Sequence, residues 1–312
     1  MALLFPPEIL PNVARTLFRA LQAADDFELP NDDLAKSVAP VSLPRGVGAP
    51  PGPGTRGFDN TLTGCLMLGL FERDGDVIRL HPDLPNAARD RRKRDEQFRP
   101  LVRDLVLRDA MNYGLWESSE GARDLTRALA WHLAQNPLSP PASWNEPRGI
   151  QAVEVDQFGA DGDRIFSNDT RWGAFCRWAT FLEFGHYLPT HGQDVLVPDP
   201  TDVIRHAVPS VLTVERQEIG VVIEELGRRI PVLDSGSYRR EVEARMKPEA
   251  VRSAVDLLSP SLAHALLRLR DERVIVLEDL ADAPLKVRLP QGFGPEPTIT
   301  HASLPGKKRL GK

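Results

Sequence analysis

With 312 residues, 41% of them hydrophobic, the chain is long enough for two or three packed domains, and its 39 basic against 44 acidic side chains exclude a protein that coats nucleic acid indiscriminately. No apolar run approaches the roughly 18 residues of a membrane span, and the start Met1-Ala-Leu-Leu-Phe-Pro-Pro lacks the basic head and cleavage site of a secretory signal, so a cytoplasmic protein is expected. Cys65 and Cys176 lie far apart inside apolar helical patterns, which suits reduced core thiols better than a bridge or a metal site.

Residues 8–24 carry Val13, Leu17, Phe18 and Leu21 at helical spacing and predict a first helix. A second, short helix is expected over 30–39, capped by Asn31 or Asp32. Residues 43–57 are too dense in Pro and Gly to continue it. A third helix is expected over 58–70 and a hairpin over 71–80, turning at Asp74-Gly75, where glycine supplies the positive φ of a tight primed turn. Three helices closed by such a wing read as a winged helix-turn-helix.

The stretch Thr61-Leu-Thr-Gly-Cys-Leu-Met-Leu-Gly-Leu-Phe-Glu-Arg73 recurs 200 residues later as Ser261-Leu-Ala-His-Ala-Leu-Leu-Arg-Leu-Arg-Asp-Glu-Arg273, matching Leu62 with Leu262, Leu66 with Leu266, Glu72 with Glu272 and Arg73 with Arg273. A second unit of the same kind is therefore expected. Between the two, residues 95–188 read as helical without a strand, with helices over 98–111, 120–134 and 168–185. The last carries the stripe Trp172, Phe175, Trp178, Ala179 and Leu182 and ends at Gly185 as its C-cap. Beyond it, helices are expected over 201–208, 214–229, 237–246 and 259–270, and wing strands over 273–278 and 285–289. The expected fold class is mainly α with small β-hairpins: two winged helix-turn-helix units, 1–94 and 199–290, flank a helical middle region, 95–198, and a flexible basic tail follows over 291–312.

No Gly-x-x-x-x-Gly-Lys loop, His-Glu-x-x-His pair, Gly-x-Ser-x-Gly elbow or Cys-x-x-Cys occurs. His186 and His191 flank a Pro-Thr loop, but no cysteine or carboxylate set completes a metal site, and Asp161-Gly-Asp163 lacks the ligand spacing of a calcium loop. The expectation is a protein that is no enzyme and holds no metal or cofactor. Recognition chemistry remains. The candidate nucleic-acid contacts are Arg56 just before the third helix, Asn60, Thr61 and Thr63 on it, Arg73 and Arg79 on the wing, the run Arg89, Arg91, Arg92, Lys93 and Arg94, and Arg268 and Arg273 in the second unit. Such a charge run is also what a plain solvated helix face looks like. Asp59, Glu72, Asp74 and Asp76 repel phosphate, and winged helices also dock proteins, so duplex DNA and a partner protein both stay open.

Two segments, Thr170-Arg-Trp-Gly-Ala-Phe-Cys-Arg-Trp-Ala-Thr-Phe-Leu-Glu-Phe-Gly185 and the stretch from Asn60-Thr-Leu to Glu72-Arg-Asp-Gly-Asp76, resemble the DpdG-type proteins. Those are accessory components of bacterial gene clusters linked to 7-deazaguanine DNA modification and phage defence. The resemblance implies a non-catalytic subunit beside a helicase, nuclease or ATPase that does the chemistry, and it carries over no functional residue. The alternative is a winged-helix subunit of a structural-maintenance-type ATPase complex, in the manner of kleisin-associated proteins, which touches a partner's helix and no DNA.

Overall fold

Apolar residues three and four apart turn one face of α1 (Pro11–Ala23) inward, burying Ala14, Leu17, Phe18 and Leu21, and Pro11 starts the helix where a missing N–H costs nothing. In a computed structural model, residues 2–4, 9–38, 54–92, 96–140, 148–166, 169–190, 193–251, 253–290, 292 and 296–306 are described. They form a mainly α-helical chain with small antiparallel sheets. Two compact units divide it, Met1–Leu125 and Thr126–Lys312.

In the first unit α1 is followed by β1 (Glu28–Pro30), α2 (Asn31–Val38), α3 (Gly54–Met67), β2 (Phe71–Asp74) and β3 (Val77–Leu80), and then by α4 (Phe98–Leu107) and α5 (Asp109–Asn112). The three strands pair antiparallel in the order β1-β3-β2. Gly75, with φ of 59°, takes the first of two central positions in the β2–β3 turn, where a tight hairpin needs it. Helix α3 starts four residues earlier than expected, taking in Gly54-Thr-Arg-Gly57, and residues 43–53 of the Pro/Gly insert lie outside the described residues. It ends in a Schellman cap: Leu70 N–H donates to Cys65 O, and Gly69, at φ 70°, turns the chain. The expected single helix over 98–111 breaks at Arg108, whose extended backbone separates α4 from α5 while its Nη2 donates to Leu68 O.

Helix α6 (Arg123–Leu133) crosses the division. The second unit continues with α7 (Arg148–Phe158), α8 (Asp169–Phe181), β4 (Gly185–Thr190) and β5 (Gln193–Pro198). Neither α7 nor the β4–β5 hairpin is expected from the apolar pattern. The buried face of α7 is partly polar: Glu154 Oε1 accepts the N–H groups of Ile165 and Phe166, and Gln157 bonds Trp131 and Gln135. Apolar periodicity does not register such a face. Glu183, not Gly185, caps α8, with φ of 67° and Phe184 N–H donating to Ala179 O. Gly185 opens β4 and is small for another reason, since a Cβ there would stand 2.9 Å from Val197 O and 3.0 Å from His132 Nε2.

The remaining elements are α9 (Thr201–Val211), β6 (Gln217–Glu218), α10 (Ile219–Arg229), α11 (Ser237–Glu243), α12 (Pro260–Asp271), β7 (Val276–Glu278), β8 (Val287–Arg288), β9 (Thr298–Ile299) and β10 (His301–Ser303). Their larger sheet has the order β6-β10-β7. The third strand is therefore β10, not the stretch 285–289, whose β8 pairs with β9 instead. Part of the segment expected to be a flexible tail forms these strands because its apolar residues are buried: Ile299 pairs with Val287 in the smaller sheet, and Ala302 sits in the central strand that β6 and β7 flank.

Helix α12 also ends in a Schellman cap, with Val274 N–H on Leu269 O and Arg273 at φ 59°. Gly69 and Arg273 are thus equivalent, which corrects the repeat spacing from 200 to 204 residues. At that spacing the buried residues Phe58, Leu62, Cys65 and Phe71 match Leu262, Leu266, Leu269 and Ile275, all buried. One helical turn returns to the same face, so the shorter spacing also aligned leucines.

Candidate nucleic-acid interface

The side chains expected at the interface meet different fates. Thr61 is buried, its Oγ1 accepting Leu10 N–H at 3.1 Å, and the Thr63 hydroxyl donates to Asp59 O one turn back on α3. Asn60 is half-buried on the same helix, and Arg56 lies in its first turn. On the hairpin, Arg79 Nε donates to Glu72 Oε2 at 2.8 Å with Asp74 at 3.8 Å, and this hydrogen bond, followed by the charge of Glu72, holds the guanidinium more firmly protonated than usual. Arg73 is exposed and bonds no described residue.

The run after the hairpin is built differently. Gln22, buried on α1, donates through Nε2 to Ala88 O at 2.8 Å and so ties the segment to that helix. Arg89 donates to Leu84 O and His81 O, and Arg91 donates to Gln22 O and Ala24 O at the C-terminal end of α1 while its guanidinium lies 5.3 Å from the centre of the Phe27 ring. Carbonyls left open at a helix C-terminus favour a cation there. Arg92 is exposed, and Lys93 and Arg94 lie outside the described residues.

In the second unit, Arg268 on α12 is bound into an ion-pair network. Its Nη1 meets Asp199 at 2.9 Å and its Nε meets Glu272 at 3.0 Å; Arg205 meets Glu272 and Asp202; His186 Nδ1 lies 3.3 Å from Asp199. Burial alone would raise the Asp199 carboxyl, but hydrogen bonds from His186 and Thr201, with Arg268 beside them, outweigh it and hold it far below the usual carboxylate range. Arg273 is exposed at its helix cap. Of the pair His186 and His191, His186 faces Asp199 and His191 lies outside the described residues; among the described residues no group of three or more His, Cys, Asp or Glu side chains is placed to hold a metal. Asp163 accepts from Arg245 at 2.6 Å.

A cleft of about 390 Å³ opens between α10, α11 and residues 253–258. Of its three acids, Asp234 accepts from Ser259 N–H and Oγ, Glu243 accepts from the buried Arg239 and from Ser253, and Glu224 is exposed at its edge. Burial pushes the thiols of Cys65 and Cys176 well above their ordinary range, which leaves neither as a thiolate nucleophile.

These features define a mainly α-helical protein in which two sets of helices each carry a three-stranded antiparallel sheet of the same strand order. The chain belongs to the DpdG-like family, whose model matches residues 1–283. No curated protein and no solved structure matches it. Membership fits an accessory protein of a DNA-modification and defence cluster, and no described helix is long and apolar enough to cross a membrane.

Proposed function

We propose that this protein is a non-catalytic winged-helix subunit of a multi-protein bacterial anti-phage complex that acts on DNA, contacting duplex DNA and holding partner helicase, nuclease or ATPase subunits in the cytoplasm. The observation that carries the reading is the repeated order of elements. Helix, strand, helix, a capped helix and two further strands of one sheet, with the last strand central, occur as α1-β1-α2-α3-β2-β3 and, with α11, β8 and β9 inserted, as α9-β6-α10-α12-β7-β10. That order is the plan of a winged helix-turn-helix, whose third helix and wing are recognition surfaces. Family membership supplies the defence context.

The test is binding of the full chain to duplex DNA across a salt series. Affinity that falls steeply with salt indicates released counterions and phosphate contact. Absence of binding at low salt would turn the reading to the alternative, a kleisin-associated type of subunit whose wings dock only protein. That second reading draws on the carboxylates that neutralise Arg79 and Arg268.

A further inference from the structure

Among the arginines expected at the interface and their neighbours, the bonded ones fall into two electrostatic kinds, while Arg73, Arg92 and Arg273 are exposed and belong to neither. Those of the first kind bind carboxylates: Arg205 and Arg268 face Asp199, Asp202 and Glu272, Arg270 faces Asp271, and Arg288 faces Asp256 and Glu296, with Lys286 on Asp279. A phosphate approaching α12 or the strands that follow it meets at least as many carboxylates as cations even with the exposed Arg273 counted, since Asp271, Glu272, Glu278, Asp279, Asp282 and Glu296 share that stretch of chain. Those of the second kind are held by backbone carbonyls, as Arg108, Arg123 and Arg164 are elsewhere, and among the expected contacts they are Arg89 and Arg91, whose side chains are fixed without a carboxylate to cancel their charge. No described carboxylate forms an ion pair with either. Asp25 and Asp26 are exposed in the turn that carries Phe27 without pairing to them, and Asp90 turns back to accept Arg92 N–H. Arg92, beside them, is exposed.

We infer that phosphate contact is made by the segment Arg89–Arg92 of the first unit, with Arg89 and Arg91 held by carbonyls and Arg92 exposed beside them, and that α12 and the strands after it in the second unit contact no phosphate. This rests on the reading of the protein as a DNA-contacting subunit and locates that contact. Holding the arginines in place before binding removes much of the ordering cost that flexible side chains carry into an interface. A cation fixed at a helix C-terminus is also the arrangement that loses least when a second anion arrives, since its carbonyl partners are neutral.

Fluorescence anisotropy of the full chain on a short labelled duplex, between about 50 and 200 mM salt, tests this. Arg91→Gln keeps a donor for the α1 carbonyls and removes the charge; Arg92→Gln alters a side chain without a described contact. Each is expected to flatten the log affinity against log salt line by about one, with Lys286→Gln leaving it unchanged. Binding by wild type with unaltered slopes in both arginine variants, or with a flattened slope in Lys286→Gln, would overturn the location and leave the DNA reading standing. Failure of wild type to bind at low salt would remove both. Displacement of the duplex by polyglutamate as readily as by unlabelled DNA would assign the segment to an acidic protein partner instead.

Discussion

Arg273 holds a left-handed backbone, φ 59°, at the position where the first unit has Gly69 at φ 70°. A side-chain Cβ in that conformation costs roughly 1 kcal/mol, which glycine avoids. Arg273→Gly is therefore expected to stabilise the protein by about 0.5–1 kcal/mol in urea unfolding, and Gly69→Ala to destabilise it by about 1 kcal/mol or more, because the new Cβ would also stand 3.1 Å from Arg108 Nη2. A loss of stability in Arg273→Gly would mean that the exposed guanidinium has a structural role beyond its backbone.

His132 gives a second expectation at this scale. It is fully buried against Phe175, neither ring nitrogen makes a hydrogen bond of good geometry, and burial pulls its pKa down to about 3, opposed in part by the Val197 backbone. Above pH 6.5 the ring is neutral folded or unfolded, so it adds no pH dependence. As pH falls below about 6.5 the unfolded chain takes up a proton that the folded chain refuses down to about pH 3, so stability drops across that window. The loss is about 2 kcal/mol between pH 7 and 5. The difference between wild type and His132→Phe isolates it from carboxyl titration. Parallel unfolding free energies for the two proteins over that range would refute the assignment.

Among the elements, β10 bears the most consequence for the second sheet, since it pairs with both β6 and β7. Ala302, 1% exposed, sits at its centre. Ala302→Asp would bury an unpaired carboxylate and is expected to cost several kcal/mol, seen as rapid hydrogen exchange at β6 and β7. Protection that survives the substitution would show that the sheet holds without its central strand. What made β10 illegible in the sequence is its distance: 22 residues separate it from β7, and a local search for hairpins stops at the nearer β8. The first hairpin was legible because Phe71, Ile78 and Leu80 alternate around an Asp-Gly turn. Helix α7 escaped notice because glutamate and glutamine line its inner face, and β4 because His186, Tyr187 and Pro189 look like loop. The candidate contacts were legible only as charges. Whether a carbonyl or a carboxylate holds each arginine is a matter of tertiary geometry, and that distinction separates Arg91 from Arg268.

For the whole molecule, a formal charge of −5 sets the background against which any DNA contact acts. At low salt the long-range field repels a duplex, and at about 0.1 M salt the Debye length of about 10 Å leaves only nearby charges to act. Contact through Arg89, Arg91 and Arg92 alone corresponds to a log–log salt slope of about −2.7, or a loss of affinity of about 40-fold between 50 and 200 mM salt. Binding by the isolated chain should thus be weak and shallow in its salt dependence. A slope steeper than about −6 in wild type would require further phosphate contacts, and a slope near zero would leave this segment none. Adding a partner subunit should raise the affinity without steepening the part of the slope that Arg91→Gln and Arg92→Gln remove, because that part counts the phosphates this chain itself neutralises.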